Sequence, residues 1–154
     1  MGPSVVRRNE SLCRYRHGEY GAPLEPAHNR QMATSGLILF AHGARDARWR
    51  EPFERLAAKV QAAQPDVAVS LAFLEIMQPD LGAAADALVA QGCRALRIVP
   101  VFLGQGGHVR GDLPAAVETV RHRHPDVRVD LRQAVGEDEA VLAQIAAVAV
   151  AGLT

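Results

Sequence analysis

The sequence is poor in cysteine and in long hydrophobic runs, and it carries no net charge. Only two cysteines, Cys13 and Cys93, occur in 154 residues. They do not form a Cys-x-x-Cys pair, so a disulfide framework, a zinc ribbon and a cysteine-ligated iron–sulfur cluster lack ligands. Lys and Arg number 17, as do Asp and Glu, which argues against a nucleic-acid-binding domain because that class needs a basic surplus.

The longest apolar runs, such as 37–41 and 98–104, fall far short of the roughly 20 residues of a membrane-spanning helix. The sequence therefore predicts no membrane span. The N-terminus also lacks the apolar core of a secretory signal. Together with the few cysteines, this favours a reducing, cytoplasmic location.

The composition changes near Met32. Residues 1–31 hold five Arg, three Glu and both Tyr, without any apolar period, and we predict a disordered extension there, with Met32 as a second candidate translation start. From Met32 a regular apolar pattern begins. We therefore expect a single domain over 32–154, which is an ordinary domain size.

Within that domain, short apolar runs alternate with helical periods in which apolar residues recur at i, i+3, i+4 and i+7. Pro52, Asp80 and Asp112 stand where the first three helices are expected to begin. The predicted strands are 37–41, 67–74, 96–103 and 127–131. The predicted helix faces are Phe53, Leu56, Ala57 and Val60; Leu81, Ala84, Ala85 and Leu88; Leu113, Ala116, Val117 and Val120; and Val141, Leu142, Ile145 and Val148.

The resulting order, βαβαβαβα, predicts an α/β fold with an open, mainly parallel four-stranded sheet and helices on both faces. We assume the strand order 2-1-3-4, in which strands one and three flank the switch point. Ligands bind at such a point, outside the carboxyl ends of the strands.

Three candidate catalytic residues follow strands at that edge. His42 follows strand one, Glu75 follows strand two, and His108 closes the glycine-rich loop 104–108 after strand three. Two imidazoles and a carboxylate suit borderline divalent metals, and they can also accept protons. The alternatives are a local backbone contact for each histidine and a helix-start carboxylate for Glu75. His122 and His124 are expected on a solvated helix end.

Three segments carry a resemblance to a known family: His42–Asp46, Phe73–Glu75 and Val99–Pro114. With these the chain resembles the sirohydrochlorin chelatases, and it looks like their short, single-domain cobaltochelatase form, over 32–154. A common variant has Ser where this chain has Ala44, which removes one hydroxyl from the first loop. The resemblance implies insertion of a divalent metal into the tetrapyrrole sirohydrochlorin, for cobalamin or siroheme synthesis.

The resemblance also suggests roles for individual residues. His42 and His108 would hold the metal, which is a substrate (Co²⁺, Fe²⁺ or Ni²⁺) and not a permanently bound cofactor. Glu75 would act with them in proton removal. The substrate carries many carboxylates, which arginines on the crevice loops would bind. The expected substrate-binding residues are Arg45, Arg48, Arg50, Gly106, Gly107 and Arg110.

We expect a homodimer, because one four-stranded domain offers a single wall to a flat macrocycle. Two other functions stay open at this point. The protein could be a non-catalytic cobalt or nickel carrier, which tetrapyrrole binding would distinguish. It could also be an α/β enzyme of the histidine-phosphatase kind, which is disfavoured because no Arg directly precedes His42.

Overall fold

A computed structural model describes residues 35–104 and 106–153, without the side chains of 107–110. The extension predicted over 1–31 lies outside the described residues. The strands are β1 (Ser35–Ala41), β2 (Val67–Phe73), β3 (Ala95–Pro100) and β4 (Arg128–Leu131). The helices are α1 (Glu51–Ala63), α2 (Leu81–Ala90), α3 (Gly107–Arg123) and α4 (Glu139–Val150), with short 3₁₀ helices η1 (Ala47–Arg50) and η2 (Val135–Glu137).

The four strands form one parallel sheet in the order β2-β1-β3-β4. This confirms the predicted fold class and the assumed 2-1-3-4 order. Ile38 of β1 aligns with Ser70 of β2 and with Ile98 of β3. β3 ends at Pro100, which aligns with Phe40 of β1.

Alternating side chains of the strands supply two packing faces. Ile38, Phe40 and Ile98 are buried in one core cluster with α2 and α3. On the opposite face α1 packs chiefly against β2, and the ring of Phe53 meets that of Phe73 nearly edge-on at 6.3 Å. The predicted face of α1 is the half-buried one, as its period requires.

The start of α3 differs from the prediction. The residues around Asp112 and Pro114 read as a helix start, because Asp is a favoured N-cap and Pro is favoured in the first turn. The helix instead begins at Gly107, after the extended N-cap Gly106, and Pro114 lies inside it. His108 therefore belongs to the first turn of α3 and does not close a loop.

The C-terminal end of α3 was expected to be exposed to solvent, and the structure confirms this for only one of its two histidines. His122 is exposed, with Nδ1 2.7 Å from the Glu118 carbonyl oxygen. His124, however, is half-buried and places Nε2 2.7 Å from Oδ1 of Asp86 on α2. Arg123 donates from Nη1 to Oδ2 of the same carboxylate at 2.8 Å. These two contacts tie α3 to α2.

The last helix, α4, is exposed along nearly its whole length. Val141 is half-buried, and every residue from Leu142 to Val150 is exposed. The predicted apolar face exists, but it covers none of the core in the described part of the chain. No helix within 35–104 and 106–153 combines the length and hydropathy that crossing a membrane requires.

Candidate active site

His42 lies at the carboxyl end of β1, one of the two interior strands. It is half-buried, and its ring lies 4.5 Å, centroid to centroid, from the ring of buried Phe102. Phe102 is held beside it because the Val101 N–H donates to the Phe40 carbonyl oxygen at 2.7 Å, which continues the pairing of β1 and β3 beyond Pro100. The tight core under this edge thus supports the imidazole from one side.

Glu75 lies on the loop after β2, and its backbone touches the loop that carries His42. A Cβ atom on Gly43 would stand 1.6 Å from the Glu75 carbonyl oxygen, so only glycine permits this approach. The Leu74 N–H also donates to the Ala41 carbonyl oxygen at 2.8 Å. His42 and Glu75 therefore lie on adjoining loops at the same edge, with the side chain of Glu75 exposed.

His108 lies in the first turn of α3, directly after the loop that follows the carboxyl end of β3. Its backbone is thus on the predicted side of the sheet, while its side chain is outside the described part of the chain. Among the described side chains, no three His, Cys, Asp or Glu residues lie close enough to hold a metal ion. The pairing of His42 with His108 stays a prediction.

A family model described as CbiX matches residues 36–149. The chain belongs to the CbiX family. Its fold agrees, because the crystal structure of a CbiX protein from Marinobacter aquaeolei VT8 superposes with a TM-score of 0.68 at 33% identity. That match covers 77% of this chain and 97% of the other.

Two curated relatives are named for the reaction they catalyse. The sirohydrochlorin ferrochelatase of Bacillus subtilis is 27% identical over 109 residues, which are 69% of this chain and 41% of the relative. The sirohydrochlorin cobaltochelatase of Methanocaldococcus jannaschii is 30% identical over 88 residues, 57% of this chain and 62% of the relative. The CbiX-family chain thus spans less than two thirds of either relative.

The three arginines after β1 differ in their surroundings. Arg45 is exposed. Arg48 forms an exposed ion pair with Asp46 at 2.8 Å, and this hydrogen-bonded partner holds the pKa of the Asp46 carboxyl below its usual value. Arg50 is half-buried, lies over the Phe73 ring at 4.8 Å and donates to the Gln78 carbonyl oxygen.

The substrate-binding predictions after β3 fall on the start of α3. Gly106 is its N-cap and Gly107 its first residue. A Cβ on Gly106 would meet nothing within 4 Å, so the entrance of this helix is open. Arg110 lies in the next turn with its side chain outside the described residues.

Large apolar side chains rim the same edge, one from each of its three loops. Trp49 is 47% exposed, Ile76 64% and Leu103 66%. The indole N–H of Trp49 donates to the His42 carbonyl oxygen at 3.1 Å, which fixes η1 against the end of β1. The edge therefore combines an imidazole, a carboxylate, arginines and apolar surface.

Three parts of this site were given no role by the sequence analysis: Trp49, and also Gly43 and Phe102, which lie within the segments that carry the family resemblance. The predicted third strand, 96–103, ends too late, because β3 ends at Pro100; Phe102 is a core residue of the segment after the strand, and its ring also supports His42. The contact of Trp49 with the His42 carbonyl oxygen joins residues seven apart in the sequence, and no sequence motif indicates it. The need for glycine at position 43 follows from a contact with Glu75, distant in sequence, which no local pattern reveals.

Proposed function

We propose that this CbiX-family protein is a sirohydrochlorin chelatase that inserts a divalent metal ion, with Co²⁺ as the first candidate. The observation that carries the proposal is the half-buried His42, seated on Phe102 at the end of an interior strand and adjoining the Glu75 loop. The names of the curated relatives support the same reaction. The product would serve cobalamin or siroheme synthesis.

The chemistry requires a metal-binding group and a proton acceptor at one place. The incoming ion must lose water ligands, and two pyrrole N–H protons must leave as the metal–nitrogen bonds form. His42 and His108 are proposed to hold the ion during this exchange. The exposed carboxylate of Glu75 is proposed to accept one of these protons, and a histidine released as the ion passes to the ring nitrogens is proposed to accept the other. The metal is a substrate that leaves in the product, and Fe²⁺ and Ni²⁺ suit the same ligands.

The surroundings of His42 suit a flat, polycarboxylate ring. Trp49, Ile76 and Leu103 offer apolar contacts to the faces of a macrocycle. Its peripheral carboxylates are proposed to meet Arg45, Arg48, Arg50 and Arg110. The glycines at the start of α3, Gly106 and Gly107, present backbone N–H groups and a helix N-terminus to an anion.

The active form is proposed to be a homodimer, because the described edge forms one wall of a crevice. A macrocycle held between two walls can be kept distorted while the metal enters. Light scattering during size-exclusion chromatography is expected to give twice the chain mass at assay concentration. A fully active species of monomer mass would contradict this assembly.

One assay tests the proposed function. Purified protein is mixed with sirohydrochlorin and Co²⁺, Fe²⁺ or Ni²⁺ in turn, and insertion is followed by the absorbance of the macrocycle. Insertion well above the rate without protein is expected, with Co²⁺ fastest. Metal binding without any faster insertion would instead indicate the non-catalytic cobalt or nickel carrier. The cytoplasmic location stays a prediction from the sequence.

A further inference from the structure

The composition of α4 does not match its surroundings. Gln144 is the only polar side chain in the helix after Glu139, so α4 is apolar on nearly all sides. Such helices are normally buried. Here Ile145 is 43% exposed and Val148 75%, and α4 packs chiefly against η2, which directly precedes it. A covering surface is therefore needed.

On one face, half of the sheet is left uncovered by the described helices. On the face that carries α1, that helix packs on β2 and, less closely, on β1, and it leaves β3 and β4 open. A groove of about 430 Å³ lies at the amino end of this face, between Val60 on α1, Leu37 of β1 and the residues Arg97 and Asp130 of the open half. In a parallel α/β sheet both faces are normally covered by helices.

The helix and the open face also agree in direction and approximately in length. Twelve residues of helix extend about 18 Å, close to the roughly 20 Å of the six-residue β3 and longer than the four-residue β4, which extends about 13 Å. The segment before α4 is fixed at the carboxyl end of the sheet, because the Gly136 N–H donates to the Phe102 carbonyl oxygen at 2.9 Å. A helix running from there toward the amino end would bring its last carbonyls toward Arg128, a cation that favours a helix C-terminus, and toward Arg97, which is ion-paired with Asp130 at 3.2 Å.

The chain's own α4 does not occupy this face. Its described residues after Val141 are all exposed, so the helix leaves its own sheet after η2. We infer that α4 is exchanged between two copies of this chain, each α4 covering the open β3–β4 half of the other copy's sheet. Exchange of an identical element is a low-cost route to a symmetric dimer.

The exchange has a consequence for the candidate active site. η2 is anchored beside Leu103, where a Cβ on Gly136 would stand 2.1 Å from the Leu103 carbonyl oxygen. The chain thus crosses to its partner directly at the edge that carries His42 and Phe102. This places the dimer contact next to the crevice, although the inference itself rests on α4 and not on the proposed reaction.

Cross-linking between chains tests the exchange. With α4 and β3 of the lengths given above, Val148 of one chain would lie beside Arg97 of the other. One chain therefore carries Val148→Cys and a second chain carries Arg97→Cys. Both chains also carry Cys13→Ser. Native Cys93 is buried, and burial raises the pKa of its thiol, which makes it slow to react. The two chains are unfolded together, refolded and oxidised.

The expected product is a disulfide-linked dimer of the two different chains. A dimer formed by the Val148→Cys chain alone would show pairing of α4 with α4, and would overturn the exchange. A chain carrying both cysteines that closes on itself as a monomer would also overturn it, because α4 would then cover its own sheet. If no cross-link forms and the protein has the mass of a monomer, the exchange is likewise overturned.

A second variant pair tests the same inference without cysteines. Val148 shares a helix face with Val141 and Ile145, whereas Val150 lies on the opposite side. Val148→Gln is expected to weaken dimerisation about tenfold or more, since it removes a buried valine from the contact. Val150→Gln is the matched control and should leave the dimer nearly unchanged. Equal dimer constants for both variants would contradict the placement of α4.

Discussion

Gly43 shows how one residue at the candidate site controls two loops. The backbone of Glu75 occupies the space in which a side chain at position 43 would stand. Glycine at this position therefore lets the loop after β1 and the loop after β2 adjoin. The placement of Glu75 relative to His42 depends on this contact.

The first prediction concerns Gly43→Ala. The added methyl group must push the two loops apart, and overpacking of this kind costs about 1–3 kcal/mol of the free energy of unfolding. Urea unfolding measures this loss, and we also expect slower metal insertion. Gly104→Ala is the matched control, because a Cβ there meets nothing within 4 Å. Equal stabilities of the two variants would contradict the described contact.

The second prediction concerns the carboxylate of Glu75. Glu75→Gln keeps the shape of the side chain but removes the proton acceptor, so insertion should slow by about tenfold or more while the affinity for Co²⁺ changes little. Insertion rates and calorimetric titration with Co²⁺ measure the two effects. Glu54→Gln on the exposed side of α1 is the control. An unchanged insertion rate in Glu75→Gln would leave Glu75 with a structural role only.

At the scale of elements, the sequence predicted the parts that local physics determines. The face of α1 is correct because its apolar residues recur with the helical period and a sheet is present to cover them. Asp80 caps α2 through the Ala83 N–H at 2.8 Å, as its position before the helix indicated. Both features can be predicted from residues close together in the sequence, together with the expectation that one face of each helix is buried.

Other elements depend on more than local pattern. The start of α3 was placed too late because Asp112 and Pro114 imitate a helix start, whereas the conformation of Gly106 decides the boundary. The apolar period of α4 was recognised, but a period does not tell which molecule covers the helix. The contact of His124 with Asp86 joins residues far apart in the sequence, and the short-range pattern at the end of α3 could not reveal it.

The third prediction concerns this link between α2 and α3. The hydrogen bond from His124 and the nearby Arg123 hold the pKa of Asp86 below its ordinary value of 3.8. Because the folded-state pKa is the lower one, the stabilisation is present above about pH 4 and is lost as the pH falls through the folded-state pKa. Asp86→Asn should therefore cost about 0.5–1 kcal/mol at neutral pH, as expected for a half-exposed pair.

Urea unfolding at several pH values checks the link. The difference between the wild type and Asp86→Asn should shrink as the pH falls below about 4. Asp66→Asn, which changes an exposed carboxylate in the turn between α1 and β2, serves as the control. A difference that stays constant over this range would show that the charge of Asp86 contributes nothing to the link.

At the scale of the whole molecule, two features point beyond the single chain. The candidate site is an edge with one wall, and α4 is an apolar helix without cover in the described chain. Both features meet at η2, beside Leu103. A second copy that receives α4 would bury the helix and bring protein to the open side of the edge. The dimer that buries α4 would then also be the dimer that completes the crevice at the candidate site.

The central claim is that the carboxyl-end edge inserts metal through its two histidines, and the initial rate of Co²⁺ insertion into sirohydrochlorin tests it most directly. His42→Ala and His108→Ala should each fold normally and lose about a hundredfold or more of the rate. His122→Ala, at the exposed end of α3, should keep the wild-type rate. Insertion at the wild-type rate by a folded His42→Ala or His108→Ala protein would contradict the role proposed for that histidine.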